Sequence, residues 1–166
     1  HPVENFRLPE TYQNHFYIPD NGRISGDLSQ FGQKNLILGF DNDPAFVHAI
    51  EAAAKEEQIS AGPVHHSILR RYGIKEDLDH GIIVPLYHVG QKATDYRLVP
   101  ISLAGLDKRA HYRLGMILRR LIDTFAEDTV IIASGDLSHK LSEEGPYGYT
   151  PEGPAYDQAL AAALKS

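Results

Sequence analysis

At 166 residues, with 42% apolar and 23% charged side chains, the chain has the make-up of one soluble globular domain with room for a proper core. A formal net charge of -6, with Lys and Arg scattered, argues against a nucleic-acid partner. No apolar run approaches the roughly 18 to 20 residues of a membrane span. The absence of cysteine removes disulfides, thiolate metal sites and a cysteine nucleophile, while nine histidines leave imidazole chemistry open.

Residues 1–33, rich in Pro, Asn, Gly and aromatics, read as loop with one short strand at His15–Pro19. Leu36–Phe40 is a short apolar strand. Asp41, Asn42 and Asp43 offer N-cap oxygens, Pro44 suits a first helical turn, and Ala45–Glu57 continues as an amphipathic helix. Ser60–Val64 reads as a brief strand, followed by a short helical piece to Tyr72 that stops at Gly73. The run Ile82–Val89 allows strand or helix. Because Pro85 would break a central ladder, a short helix starting near Asp79 is preferred. Tyr96–Leu103 alternates as a strand should. Asp107 caps a long helix through Phe125, with Leu114, Ile117, Leu118, Leu121 and Ile122 on one stripe.

Thr129–Ser134 is a β-branched apolar run and reads as a buried strand. A Gly/Pro/Tyr-rich loop spans Glu143–Gly153, and a final helix begins at about Pro154. Strand–helix alternation predicts an α/β layered domain over 1–166, with a central, largely parallel or mixed sheet flanked by helices. The basic pairs Arg70-Arg71 and Arg119-Arg120 fall in helical patterns and read as solvated faces. The start at His1 and the end inside a helical pattern read as the edges of a piece of a longer protein, truncated at both ends.

The strand at Thr129 runs into Gly135, Asp136, Ser138 and His139, and ligands in open α/β sheets bind beyond the carboxyl ends of strands. The same residues also suit an ordinary strand exit whose Asp caps a turn. Position sorts the histidines. His48 and His111 lie inside helical patterns as surface or partly buried residues, His65-His66 is an adjacent pair that makes a poor chelate, and His88, ending an apolar run, reads as a hydrogen-bonded core or cap histidine. His80 stands at a helix start behind Asp79, where the dipole favours neutral imidazole. His80 and His139 converging on one crevice would form an acid/base pair.

The segments Asp79-His80-Gly81-Ile-Ile-Val-Pro-Leu-Tyr87 and Ala133-Ser-Gly-Asp-Leu-Ser-His139 resemble the class III extradiol ring-cleavage dioxygenase superfamily. The stretches Gly145-Pro-Tyr-Gly-Tyr149 and Pro151-Glu-Gly-Pro154, and Gly26-Asp27-Leu28 with Phe31-Gly32 and Asn42-Asp43, carry the same likeness. It is closest to a bacterial and archaeal branch that includes Memo-like proteins, with the catalytic β-subunit of protocatechuate 4,5-dioxygenase a better-known relative.

The resemblance implies an Fe(II) cofactor held by two histidines and a carboxylate, with open positions for a catecholic substrate and O₂. His139 matches the acid/base histidine and His80 a substrate-contacting one. His1 matches the second metal histidine, although a leading histidine also suits a tag remnant. At most one of three iron ligands is therefore present, and this stretch alone should not bind iron tightly. Asp136 would orient a histidine or simply cap its loop. Tyr147 and Tyr149 would line an aromatic pocket or pack within their own loop. The resemblance thus implies a cytoplasmic Fe(II) dioxygenase acting on a small aromatic substrate, with a homodimer as a further expectation. The alternative is a non-catalytic Memo-like binding module that keeps a histidine-lined pocket. Metal-assisted hydrolysis is a third reading.

Overall fold

The computed structural model describes residues 13–74 and 76–165, which divide between Ile131 and Ile132 into two compact units. In the first unit, strand β1 (Phe16–Tyr17) runs parallel to β4 (Ala61–Gly62), with Phe16 opposite Ala61 and Tyr17 opposite Gly62. Between them in sequence, β2 (Arg23–Leu28) and β3 (Gln33–Asp41) form an antiparallel pair. The sheet character is therefore mixed, and β2 is a strand in a stretch whose sequence reads as loop. Its apolar residues are too few to announce it: only Ile24 and Leu28 interrupt Arg, Ser, Gly and Asp.

Helix α1 (Pro44–Glu56) starts where Asp43 accepts a hydrogen bond from the Phe46 amide at 3.0 Å, with Pro44 in the first turn. It packs on β4 and on α4 (Lys108–Ile122), whose N-cap Asp107 accepts from the Ala110 amide at 2.8 Å. Val47 and Ile50 of α1 meet Leu114 and Ile117 of α4 in one core that also takes in Phe16, Ile18 and Ile59. Full burial of each such aliphatic side chain stabilises the fold by about 1.5–3 kcal/mol.

Two smaller helices complete this unit. Helix α2 (His66–Arg71) is capped by His65, and its Leu69 packs with Val64 and Ile74. Helix α3 (His80–Val89) follows Asp79, whose carboxylate accepts from the Ile82 amide at 3.2 Å, and it packs on β2 through Ile83 and Ile24. Pro85 lies inside α3, where it has no N–H to give to the Gly81 carbonyl one turn earlier. The choice of helix over strand for this run agrees with the structure.

Two expected strands differ. Tyr96–Leu103 is extended but joins no ladder. Leu98 donates to the Asp41 carbonyl and Ser102 to the Tyr17 carbonyl, each at 2.9 Å, and Tyr17 returns its amide to the Ser102 hydroxyl rather than to backbone. Pro100, which has no N–H, sits between those two contacts. Thr129–Ser134 is neither strand nor buried: Val130 is 84% and Ile131 61% exposed. β-Propensity expresses how well a side chain fits a half-buried pleated surface, and among the described strands none pairs with this run.

In the second unit, helix α5 (Glu152–Ala163) packs against its own preceding loop. A Cβ on Gly153 would collide with the Lys140 carbonyl and lie 2.9 Å from the Ser138 hydroxyl, so glycine is what permits this approach. No described helix is long and apolar enough to cross a membrane.

Candidate functional site

The second unit is organised around the loop that carries His139. The Ser138 amide donates to the Asp157 carboxylate of α5 at 2.7 Å, anchoring the chain one residue before the imidazole. Beyond it, Leu141 and Tyr149 pair as an antiparallel bridge, and the Thr150 amide donates to the Lys140 carbonyl at 3.3 Å. Turns at Ser142–Gly145 and Gly145–Gly148 close this loop, the second using Gly148 at φ 70°. Folding the chain back sets the Tyr147 ring 5.1 Å from the His139 ring, tilted by 44°. The His139 Nε2 lies 3.5 Å from an Asp136 carboxylate oxygen.

Asp136, His139 and Tyr147 therefore come together, and Tyr149 lies on the returning segment of the same loop. All four are exposed, Tyr147 at 60%, so the His139–Asp136 attraction contributes at most about 1 kcal/mol. An imidazole beside a carboxylate and a phenol, all open to solvent, can take up and return protons.

His80 belongs to the first unit, as the first residue of α3. The segment leading to it is tied at several points. The Leu78 amide donates to the Ser25 carbonyl at 2.8 Å, and Leu78 forms a parallel bridge with Gly26. Two residues earlier, Glu76 accepts from the His66 Nδ1 at 2.6 Å and from the Asn21 side-chain amide at 2.9 Å. Burial raises the Glu76 pKa, but the hydrogen bonds from His66 and Asn21 and the nearby cationic charge outweigh it and hold the carboxyl below its ordinary range. Burial, with the charges of Glu76 and Asp20, pushes the Tyr17 phenol up to about 12. The His80 ring meets the Phe31 ring edge-on at 5.2 Å and 74°.

His48, His111, His65 and His66 sort as their positions suggest. His48 is exposed beside Glu51 at 3.2 Å. His111 stacks edge-on against Phe16 at 4.8 Å, and His65 and His66 turn to different partners, Ser67 and Glu76. His88 is not a core histidine: the last turn of α3 leaves it exposed, with its ring edge-on to Tyr87. His15 carries more than its sequence announces. Its Nε2 donates to the Gly62 carbonyl at 2.9 Å, which leaves Nδ1 to accept from the Ser60 hydroxyl at 2.8 Å. Burial pushes its pKa down, against the Gly62 hydrogen bond and the Glu51 charge. This pairing depends on the β1–β4 register across 45 residues, and no local signal marks it.

His1 lies outside the described residues. Among the described residues, no three His, Asp or Glu side chains come together in a group that would hold a metal ion.

Helices with mixed strand pairs define an α/β layered protein, and Asp136 and His139 of its exposed polar cluster lie within a Ser-Gly-Asp-Leu-Ser-His segment. The chain belongs to the family of the catalytic LigB subunit of aromatic ring-opening dioxygenase, whose model matches residues 10–166 and so runs across both units. It is also 34% identical over 154 residues to Protein CA_C1420 of Clostridium acetobutylicum, a match covering 93% of this chain and 33% of that protein. The chain thus spans about a third of the length of the curated relative it matches.

Proposed function

We propose that this chain contributes the proton-handling and substrate-contacting residues of an Fe(II)-dependent extradiol dioxygenase that opens a small catecholic ring with O₂. The observation that carries the reading is the meeting of Asp136, His139 and Tyr147 on one open face, in a chain of the ring-opening dioxygenase family. His139 would accept a proton from a catechol hydroxyl and return it to the opened product, with Asp136 beside the ring to orient it. Tyr147 and Tyr149 would offer flat apolar faces to the ring.

Iron, when bound, would supply open coordination positions for catechol and O₂. The described residues do not themselves make a set that fits it, and of the expected ligands only His1 falls within the chain, outside the described residues.

The test is the metal content of the full-length protein, purified without oxygen and offered Fe(II), read by elemental mass spectrometry. About one iron per chain, with oxygen uptake on adding a catechol, supports the proposal. Absence of bound iron together with intact ligand binding would favour a Memo-like binding module.

A further inference from the structure

Helix α5 carries an aspartate in its second turn, where that residue is a poor choice for the helix itself. Asp157 is half-buried, while Glu152, Ala155, Tyr156 and Gln158 around it are exposed. A carboxylate drawn partly out of water needs hydrogen bonds to offset its lost hydration. The Ser138 amide supplies one at 2.7 Å, the short distance of a charge-assisted bond.

Gly153 stands four residues before Asp157 and so lies on the same face of α5. It is buried against the Ser138 hydroxyl and the Lys140 carbonyl, and a Cβ there would collide with that carbonyl. The Lys140 carbonyl also accepts from the Thr150 amide at 3.3 Å, and the Ser138 hydroxyl accepts from the Lys140 amide at 3.2 Å. The chain is therefore held immediately before and immediately after His139, whose own side chain stays 47% exposed. One face of α5 sets the backbone on both sides of the imidazole and leaves the imidazole outside.

We propose that Asp157 is a positioning residue for proton transfer at His139: by holding the Ser138 amide, it fixes where the imidazole stands against Asp136 and Tyr147. The inference rests on the reading above that His139 moves a proton during ring opening. A side chain half in solvent gains little from packing, so its backbone decides what its ring can reach. Proton transfer needs the two heavy atoms within about 2.6–3.2 Å. A displacement of about 1 Å is enough to lower a rate about 10²-fold. Substrate binding draws on other contacts, so the loss falls on kcat and not on KM.

The experiment follows ring opening of 4-methylcatechol by the full-length, Fe(II)-loaded protein, together with the His139 imidazole resonances, in the wild type and three variants. Asp157→Ala should lower kcat about 10- to 100-fold, keep KM within about twofold, and displace the His139 resonances as the ring moves relative to Tyr147. Asp157→Asn, whose side-chain carbonyl still accepts from the Ser138 amide, should keep kcat within about threefold and leave the resonances in place. Gln158→Ala, on the exposed side of the same turn, should match the wild type in both. In the wild type, the Ser138 amide should exchange slowly with D₂O, a measurement that stands even where Asp157→Ala does not fold.

A kcat that Asp157→Ala leaves unchanged would overturn the positioning role. Equal losses in Asp157→Ala and Asp157→Asn would also overturn it, by assigning the effect to the charge of Asp157 and not to the amide it holds. Lost activity with unmoved His139 resonances, or a Ser138 amide that exchanges at the rate of an unprotected one, would do the same. A wild type that opens no catechol ring would overturn the underlying reading and the kinetic role with it, while amide exchange and resonances would still judge the hold of Asp157 by itself.

Discussion

Asp136 and His139 are three residues apart on an exposed loop, and their 3.5 Å approach needs no distant element to arrange it. On the proposed function, replacing His139 with Ala in the full-length protein should lower kcat for ring opening by about 10² to 10⁴-fold, as removal of a proton-transferring group does. His48→Ala should leave kcat unchanged, since that side chain faces solvent beside Glu51. Steady-state kinetics on both variants checks this, and equal losses would refute it.

His15 makes a different prediction. Burial lowers its folded pKa below the ordinary 6.5, so below pH 6.5 the unfolded chain binds a proton that the folded one resists. This part of the stability is present above 6.5 and is lost as pH falls through the folded pKa. Urea midpoints at about pH 7.5 and 5.5 should therefore fall further apart in the wild type than in His15→Gln. The sequence motif makes the Asp136–His139 pair legible because the pair is local. His15 with Ser60, and Glu76 with His66 and Asn21, were not legible, because each joins segments that only the folded chain brings together.

At the level of elements, what could be read is what the chain specifies within one turn. Asp43, Asp79 and Asp107 each cap the helix expected of them, because a carboxylate needs only the amide three residues ahead. The apolar stripe of α4 likewise follows from its period. Pairing was not readable. The segment Tyr96–Leu103 has the alternation of a strand, yet either side of Pro100 it meets β3 through one backbone hydrogen bond and β1 through one backbone bond and the Ser102 hydroxyl.

Docking of α3 on β2 tests the distinction. Asp79→Ala should cost about 1 kcal/mol through loss of the cap. Gly26→Ala should cost about 1–3 kcal/mol, because the added methyl must push the Leu78 backbone away. Chemical denaturation measures both. Indistinguishable stabilities for Gly26→Ala and wild type would show that the Gly26–Leu78 contact is not a tight one.

Over the whole molecule, a single family model runs through both compact units, and the α/β character expected from the alternation of elements holds within mixed rather than mainly parallel pairs. Thr129–Ser134 is the place where a local signal and the larger structure part company, since β-branched side chains announce a strand but a strand exists only beside another. Its exposure has a consequence for how the protein behaves in quantity. A six-residue stretch of Thr, Val, Ile, Ile, Ala and Ser, without charge or proline, has the composition of a cross-β stacking segment, with Glu127, Asp128 and Asp136 near it as gatekeepers. At high concentration this chain, produced by itself, should self-associate with a thioflavin-positive signal, and Ile131→Lys should abolish that signal without moving the melting temperature. The price of leaving Val130 and Ile131 in water is colloidal: the shelf life of a sample, more than its fold, depends on them.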